Sequence, residues 1–90
     1  MTDKLSETMA FEADKVRREN IKHILGKIND ALEERGYNAV NQIAGYLISN
    51  DPAYISSHKN ARTIVQSVER YDIIEELVRY YLKEDNQWEL

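Results

Sequence analysis

Apolar residues recur at spacings of three and four along most of this chain, and no segment alternates with period two over a useful length. The longest stripe is Val16, Ile21, Ile24, Leu25, Ile28, Ala31 and Leu32, with Lys15, Arg18, Lys22, Asp30, Glu33 and Glu34 between. That pattern predicts one amphipathic helix from residue 14 or 15 to residue 35. Gly36 follows and suits a left-handed cap. A second helix is expected over Ala39–Ser49, with Asn38 as N-cap and Val40, Ile43, Ala44, Leu47 and Ile48 inward. Gly45 inside it costs about 1 kcal/mol relative to alanine, so a close approach by another helix, across a subunit interface, is its expected reason. Asn50-Asp51-Pro52 ends the helix, because proline disfavours a helical conformation in the residue before it. Asp51 can then cap a single turn that Pro52 starts. A third helix is expected over residues 60–69, with Ala61, Ile64, Val65 and Val68 inward. A fourth is expected over residues 72–83, where Asp72 and Glu75 have capping-box spacing. Its expected inner face is Ile73, Ile74, Leu77, Val78, Tyr81 and Leu82.

The class read from this pattern is all-α: a small bundle of four main helices plus a short helical turn. Residues 1–14 show no helical stripe. Thr2, Ser6 and Thr8 lie there among Asp3, Glu7, Glu12 and Asp14, so the segment is expected to be a flexible tail, with Met9 to Phe11 able to dock. Residues 84–90 are polar apart from Trp88 and Leu90 and are expected to fray. The domain is thus expected to span residues 15–83.

Composition narrows the picture. Ninety residues make one domain with a marginal core. The absence of cysteine removes disulfides and thiolate metal sites as a remedy. Self-association is what remains, and a homodimer is expected. A net charge of −4 lacks the basic footprint of a nucleic-acid binder. No apolar run approaches ~18 residues, and the start has no signal-peptide pattern, so a cytoplasmic protein without membrane insertion is expected.

Catalytic chemistry is hard to find. His23 and His58 are the two histidines: the first lies one position from the apolar stripe, the second in a polar loop beside Lys59. There is no HExxH, no Cys/His cluster and no calcium loop. Gly36 and Gly45 stand too far apart to cradle a phosphate, and no GxSxG occurs. Glu33-Glu34 and Glu75-Glu76 are adjacent helix positions that point apart, and solvated faces explain them. The reading is a non-enzyme with no cofactor and no metal. Residues 42–47 and 61–66 could be taken for a helix-turn-helix presenting Ser57, His58, Lys59, Asn60, Arg62 and Thr63 to DNA. The connection is longer than three or four residues and the last helix is acidic, so two bundle helices are the simpler reading.

One block is more specific than any of this. Ala31-Leu-Glu-Glu-x-Gly36-Tyr37-Asn38 is followed by Asn41-Gln42-Ile43, Gly45-Tyr46-Leu47 and Asp51-Pro52-Ala53-Tyr54-Ile55. Ala61-Arg62, Glu69-Arg70 and Ile74-Glu-Glu-Leu-Val78 continue it, with a weaker match at Glu7-Thr8-Met9. This resembles the IreB family of regulatory phosphoproteins of Gram-positive bacteria. The resemblance implies a small cytoplasmic helical homodimer without catalytic activity. It implies phosphorylation by a membrane Ser/Thr kinase with extracellular PASTA repeats, reversed by its phosphatase. It further implies control of peptidoglycan synthesis, in relatives through Clp-protease turnover of the first committed enzyme, with an effect on antibiotic tolerance. By position, the implied phosphosite is Thr8, with Thr2 and Ser6 as weaker candidates.

A partner-binding edge is implied at Arg62 and Arg70, with His58 and Lys59. Arg62 and Arg70 are eight positions apart and share a face if one helix carries both. The chain departs from the family pattern at Ala39, where proline is usual, and at Tyr71, where an acidic residue is common. Ser57, Gln66 and Ser67 stand where relatives carry basic residues, which thins the basic stripe. A phosphate adds about −1.5 to −2 charges, for which Lys15, Arg17 and Arg18, or Arg62 and Arg70, are candidate receivers.

Overall fold

A computed structural model describes residues 4–84, and side chains from residue 9 onward. Among the described residues all regular structure is helical. Four α-helices run in the order α1 (Lys4–Glu34), α2 (Ala39–Ser49), α3 (Ala61–Val65) and α4 (Arg70–Arg79). Single 3-10 turns lie at Pro52–Tyr54 and His58–Asn60, and a π-helical turn, Tyr80–Glu84, extends α4.

The spine is α1. Ile21, Ile24, Ile28, Ala31 and Leu32 form its buried stripe, and Ile28 and Leu32 are wholly enclosed. Each such side chain contributes about 1.5–3 kcal/mol by leaving water. Against them pack Ala39 and Tyr46 of α2, Ile55 of the connection, Ala61 and Val65 of α3, and Ile73 of α4.

The expected caps form. At the end of α1, Gly36 sits at φ 75°, the Gly36 N–H donates to Glu33 O at 2.9 Å, and the Tyr37 N–H donates to Leu32 O at 2.9 Å. That pair of bonds is a Schellman motif, satisfying carbonyls the helix leaves open. Asn38 Oδ1 accepts the Asn41 N–H at 3.0 Å, and Asp51 Oδ1 accepts the Ala53 N–H at 3.0 Å, so both predicted N-caps are made.

Several expectations are corrected. α1 starts at Lys4 and not near residue 14. Residues 4–14 hold Leu, Glu, Met and Ala, good helix formers, with no glycine or proline to interrupt them. Propensity extends the helix where no burial does: between residues 9 and 20 no side chain is buried, and Met9, Phe11 and Val16 are exposed. Thr2, and the stretch beyond Glu84 with Trp88 and Leu90, lie outside the described residues.

α2 has the expected bounds, but its docked face is rotated. Tyr46 and Ala39 are buried, Ile43 and Leu47 partly so, while Val40, Ala44 and Ile48 face outward. The apolar arc is wider than one small core can cover. Gly45 owes its place to Tyr54 of the same chain: a Cβ there would lie 2.6 Å from Tyr54 Cδ1. No neighbouring helix is needed to explain it.

α3 stops at Val65 because side chains take its last carbonyls: Gln66 Nε2 donates to Arg62 O at 3.0 Å, and Ser67 Oγ donates to Ile64 O at 2.6 Å. α4 then begins at Arg70 with Glu69 in the N-cap position, making no side-chain cap bond, so the predicted Asp72–Glu75 box does not form. Asp72 lies instead in the first turn, where its charge suits the helix dipole. The two buried residues of α4 are Ile73 and Glu76; Ile74, Leu77, Val78, Tyr81 and Leu82 are exposed. Glu76 takes an inward slot because Arg18 and Lys22 of α1 face it.

Candidate partner-binding surface

The residues expected to bind a partner fall on two elements. The helix does not continue from Arg62 to Arg70: the chain turns between α3 and α4, so eight-residue spacing does not place them on one helix face. Each arginine is half-buried and holds a backbone carbonyl. Arg62 Nε donates to Ile55 O at 2.8 Å, and Arg70 Nη1 donates to Leu47 O at 2.7 Å. These bonds tie α3 to the turn before it and α4 to the end of α2.

Between the two 3-10 turns the loop is closely specified. The Ser56 N–H donates to Gln42 Oε1 at 2.9 Å, the His58 N–H to Ser56 Oγ at 3.1 Å, and the Arg62 N–H to Ser56 O at 3.1 Å. Lys59 and Asn60 follow in left-handed conformations, at φ 50° and 64°. Asparagine tolerates that region; for lysine it carries strain. The side chains of His58 and Lys59 both turn to Glu34 in the last turn of α1. His58 Nε2 lies 2.5 Å from Glu34 Oε1, and Lys59 Nζ lies 2.8 Å from Oε2. Bonding by Lys59, then His58, holds the Glu34 carboxyl well below its usual range, at about 2.

A second charged cluster joins α1 to α4. Glu76 Oε1 accepts from Arg18 Nε at 2.9 Å and from Arg79 Nη1 at 3.3 Å. Its other oxygen, also buried, has no hydrogen-bond partner; Lys22 Nζ stands 3.9 Å away. Glu84, carried round by the π-helical turn, reaches back to Arg18 at 2.8 Å and Lys22 at 3.5 Å. Hydrogen bonding to Glu76 raises the Arg18 guanidinium further above its already high value.

Glu34 and Glu76 are thus the charged residues that sequence reasoning missed. The sequence pattern places both on solvated faces. A signal existed for Glu76, three residues after the buried Ile73, and for Arg18, three before Ile21, each in phase with a buried stripe. None existed for Glu34.

The remaining expectations divide by place. Thr8 and Ser6 lie on the helical backbone of α1. His23 is exposed. Among the described residues no group of three or more His, Asp or Glu is placed to hold a metal ion, and no helix is long and apolar enough to cross a membrane. The helix-turn-helix geometry is absent: α2 and α3 are separated by residues 50–60 with two 3-10 turns, and α3 is five residues long.

Two comparisons bear on the chain as a whole. The family model described as "IreB regulatory phosphoprotein" matches residues 6–83. This chain belongs to the IreB family. A curated relative from Ruminiclostridium cellulolyticum, named "UPF0297 protein", is 44% identical over 82 residues, covering 91% of this chain and 93% of its own. The IreB match takes in Ser6, Thr8 and all four basic residues of the candidate surface, and leaves out Thr2.

Proposed function

We propose that this chain is a non-enzymatic, cytoplasmic regulator switched by phosphorylation of Thr8, with Ser6 and Thr2 as lesser acceptors. The observation that carries the reading is the regulatory phosphoprotein family match from residue 6 to residue 83. The modifying enzyme is a PASTA-type Ser/Thr kinase, opposed by its phosphatase. The process controlled is peptidoglycan synthesis, through Clp-protease-linked turnover of its first committed enzyme, and antibiotic tolerance follows from it. Placement supports Thr8: it lies on a part of α1 whose nearest described neighbours, from Met9 to Ala13, are all exposed.

The working unit is a homodimer. Its support is the outward apolar side of α4, where Tyr71, Ile74, Val78 and Leu82 line an open recess rimmed by Glu75, Arg79 and Lys83. Such a face on a small domain marks an interaction site. Glu75 lies at one end of the rim and Lys83 at the other, so two copies packed antiparallel set Glu75 against Lys83. The deciding experiment is kinase labelling of wild type and Thr8→Ala. Labelling is expected to fall to background in the variant, and undiminished labelling overturns the assignment.

A further inference from the structure

The contact between Glu34 and the loop before α3 is unusual for its position. Glu34 lies in the last turn of α1, which carries no basic residue. A negative charge at that end opposes the helix dipole, so the helix itself gives no reason for it. What holds the carboxylate is the loop: His58 Nε2 at 2.5 Å on one oxygen and Lys59 Nζ at 2.8 Å on the other. Lys59 takes up a left-handed backbone conformation next to this contact. Strained positions of that kind mark functional loops more often than inert ones. Lys59 is 61% exposed and His58 18%, so another anion can approach the pair from the lysine side.

We propose that His58 and Lys59 form a two-donor oxyanion cradle, which Glu34 occupies in the unmodified protein and which the phosphothreonine at position 8 of a second copy takes over. This rests on the reading that Thr8 is phosphorylated. A phosphate is the occupant because Glu34 is tethered beside the site and competes at high effective concentration. A free carboxylate of equal charge does not displace it. A phosphate brings nearly twice the charge and three acceptor oxygens. The source is a second chain because about 39 Å of continuous helix separates Thr8 from Glu34 within one chain. Glu34 then acts as an internal competitor that keeps the cradle closed to ordinary carboxylates.

The test is fluorescence anisotropy with a labelled peptide copying residues 2–14, bearing phosphothreonine at position 8, titrated with the full-length unmodified protein. Binding is expected to wild type. Removing the competitor with Glu34→Gln is expected to tighten it roughly two- to fivefold, the range in which an exposed ion pair opens. Lys59→Gln, which keeps the shape and removes the charge, is expected to weaken it. The unphosphorylated peptide is expected not to bind. Far-UV circular dichroism checks that each variant is folded. Equal or weaker binding by Glu34→Gln, or indifference to Lys59→Gln, overturns the proposal. Labelling of Thr8 by the kinase is scored separately. A labelled Thr8 whose peptide finds no cradle sinks this inference alone, whereas an unlabelled Thr8 sinks the functional reading.

Discussion

Gly45→Ala is the sharpest test of how α2 is packed. In an isolated helix, alanine would gain about 1 kcal/mol over glycine. Here the added methyl would stand 2.6 Å from Tyr54 Cδ1, 3.2 Å from Cγ and 3.3 Å from Cε1. The contact is with the root of the ring and not its tip, so a small rotation does not relieve it. The ring has to leave the face of α2. Tyr54 is 54% exposed, so just under half of its surface is covered, on the order of 100 Å² for a tyrosine. At about 25 cal/mol per Å², losing that contact costs roughly 2.5 kcal/mol. After the alanine gain, the net destabilisation is about 1–1.5 kcal/mol. For a domain of this size that lowers Tm by roughly 4–10 °C. The assay is urea and thermal unfolding by circular dichroism, at one fixed protein concentration so that association does not enter the comparison. A double-mutant cycle isolates the cause. In a Tyr54→Ala background these three ring contacts are gone, and Gly45→Ala is expected to stabilise. If Gly45→Ala costs the same in both backgrounds, or raises Tm in the wild type, the steric reasoning is wrong.

Two further outcomes are expected. Glu34 has a folded-state pKa of about 2 against an ordinary 4.5, so its contribution to stability is complete above about pH 4.5 and is lost as pH falls towards 2. Urea midpoints measured down that range should drop less steeply for Glu34→Gln than for wild type, and parallel acid limbs would show that the clasp adds nothing. Ile74→Asp places a charge on the outward face of α4 without touching the buried Ile73, so sedimentation should shift to the 10.5 kDa monomer with helicity retained; an unchanged dimer would put the interface elsewhere.

How much of this was legible in the sequence depends on which force sets each feature. Caps were readable because they are local: Gly36, Asn38 and Asp51 each act within three residues of themselves, and all three do what their chemistry predicts. The bounds of α2 followed from them. Burial phase was less readable. Val40 and Ile48 satisfy the same periodicity as Ile43 and Leu47, and only the position of α1 decides which of them is covered. The first ten residues of α1 were misread because helicity was sought through an apolar stripe, whereas propensity alone extends an existing helix one hydrogen bond per residue. At the candidate surface the identities of His58, Lys59, Arg62 and Arg70 could be named in advance. Their present partners could not. Glu34 lies more than twenty residues from His58, and the carbonyls of Ile55 and Leu47 carry no signature in the sequence.

The exposed stretch of α1 from Met9 and the buried stripe that follows it set two regimes of tolerance. From Ile21 onward, substitutions in the buried stripe of α1 are judged by the core. Before it, between Met9 and Asn20, a substitution away from Arg18, which holds the buried Glu76, alters what the rod displays and removes no buried side chain. Recognition can therefore be retuned at one end of the molecule at no cost to its architecture, and the same freedom makes that end a natural place to attach a reporter.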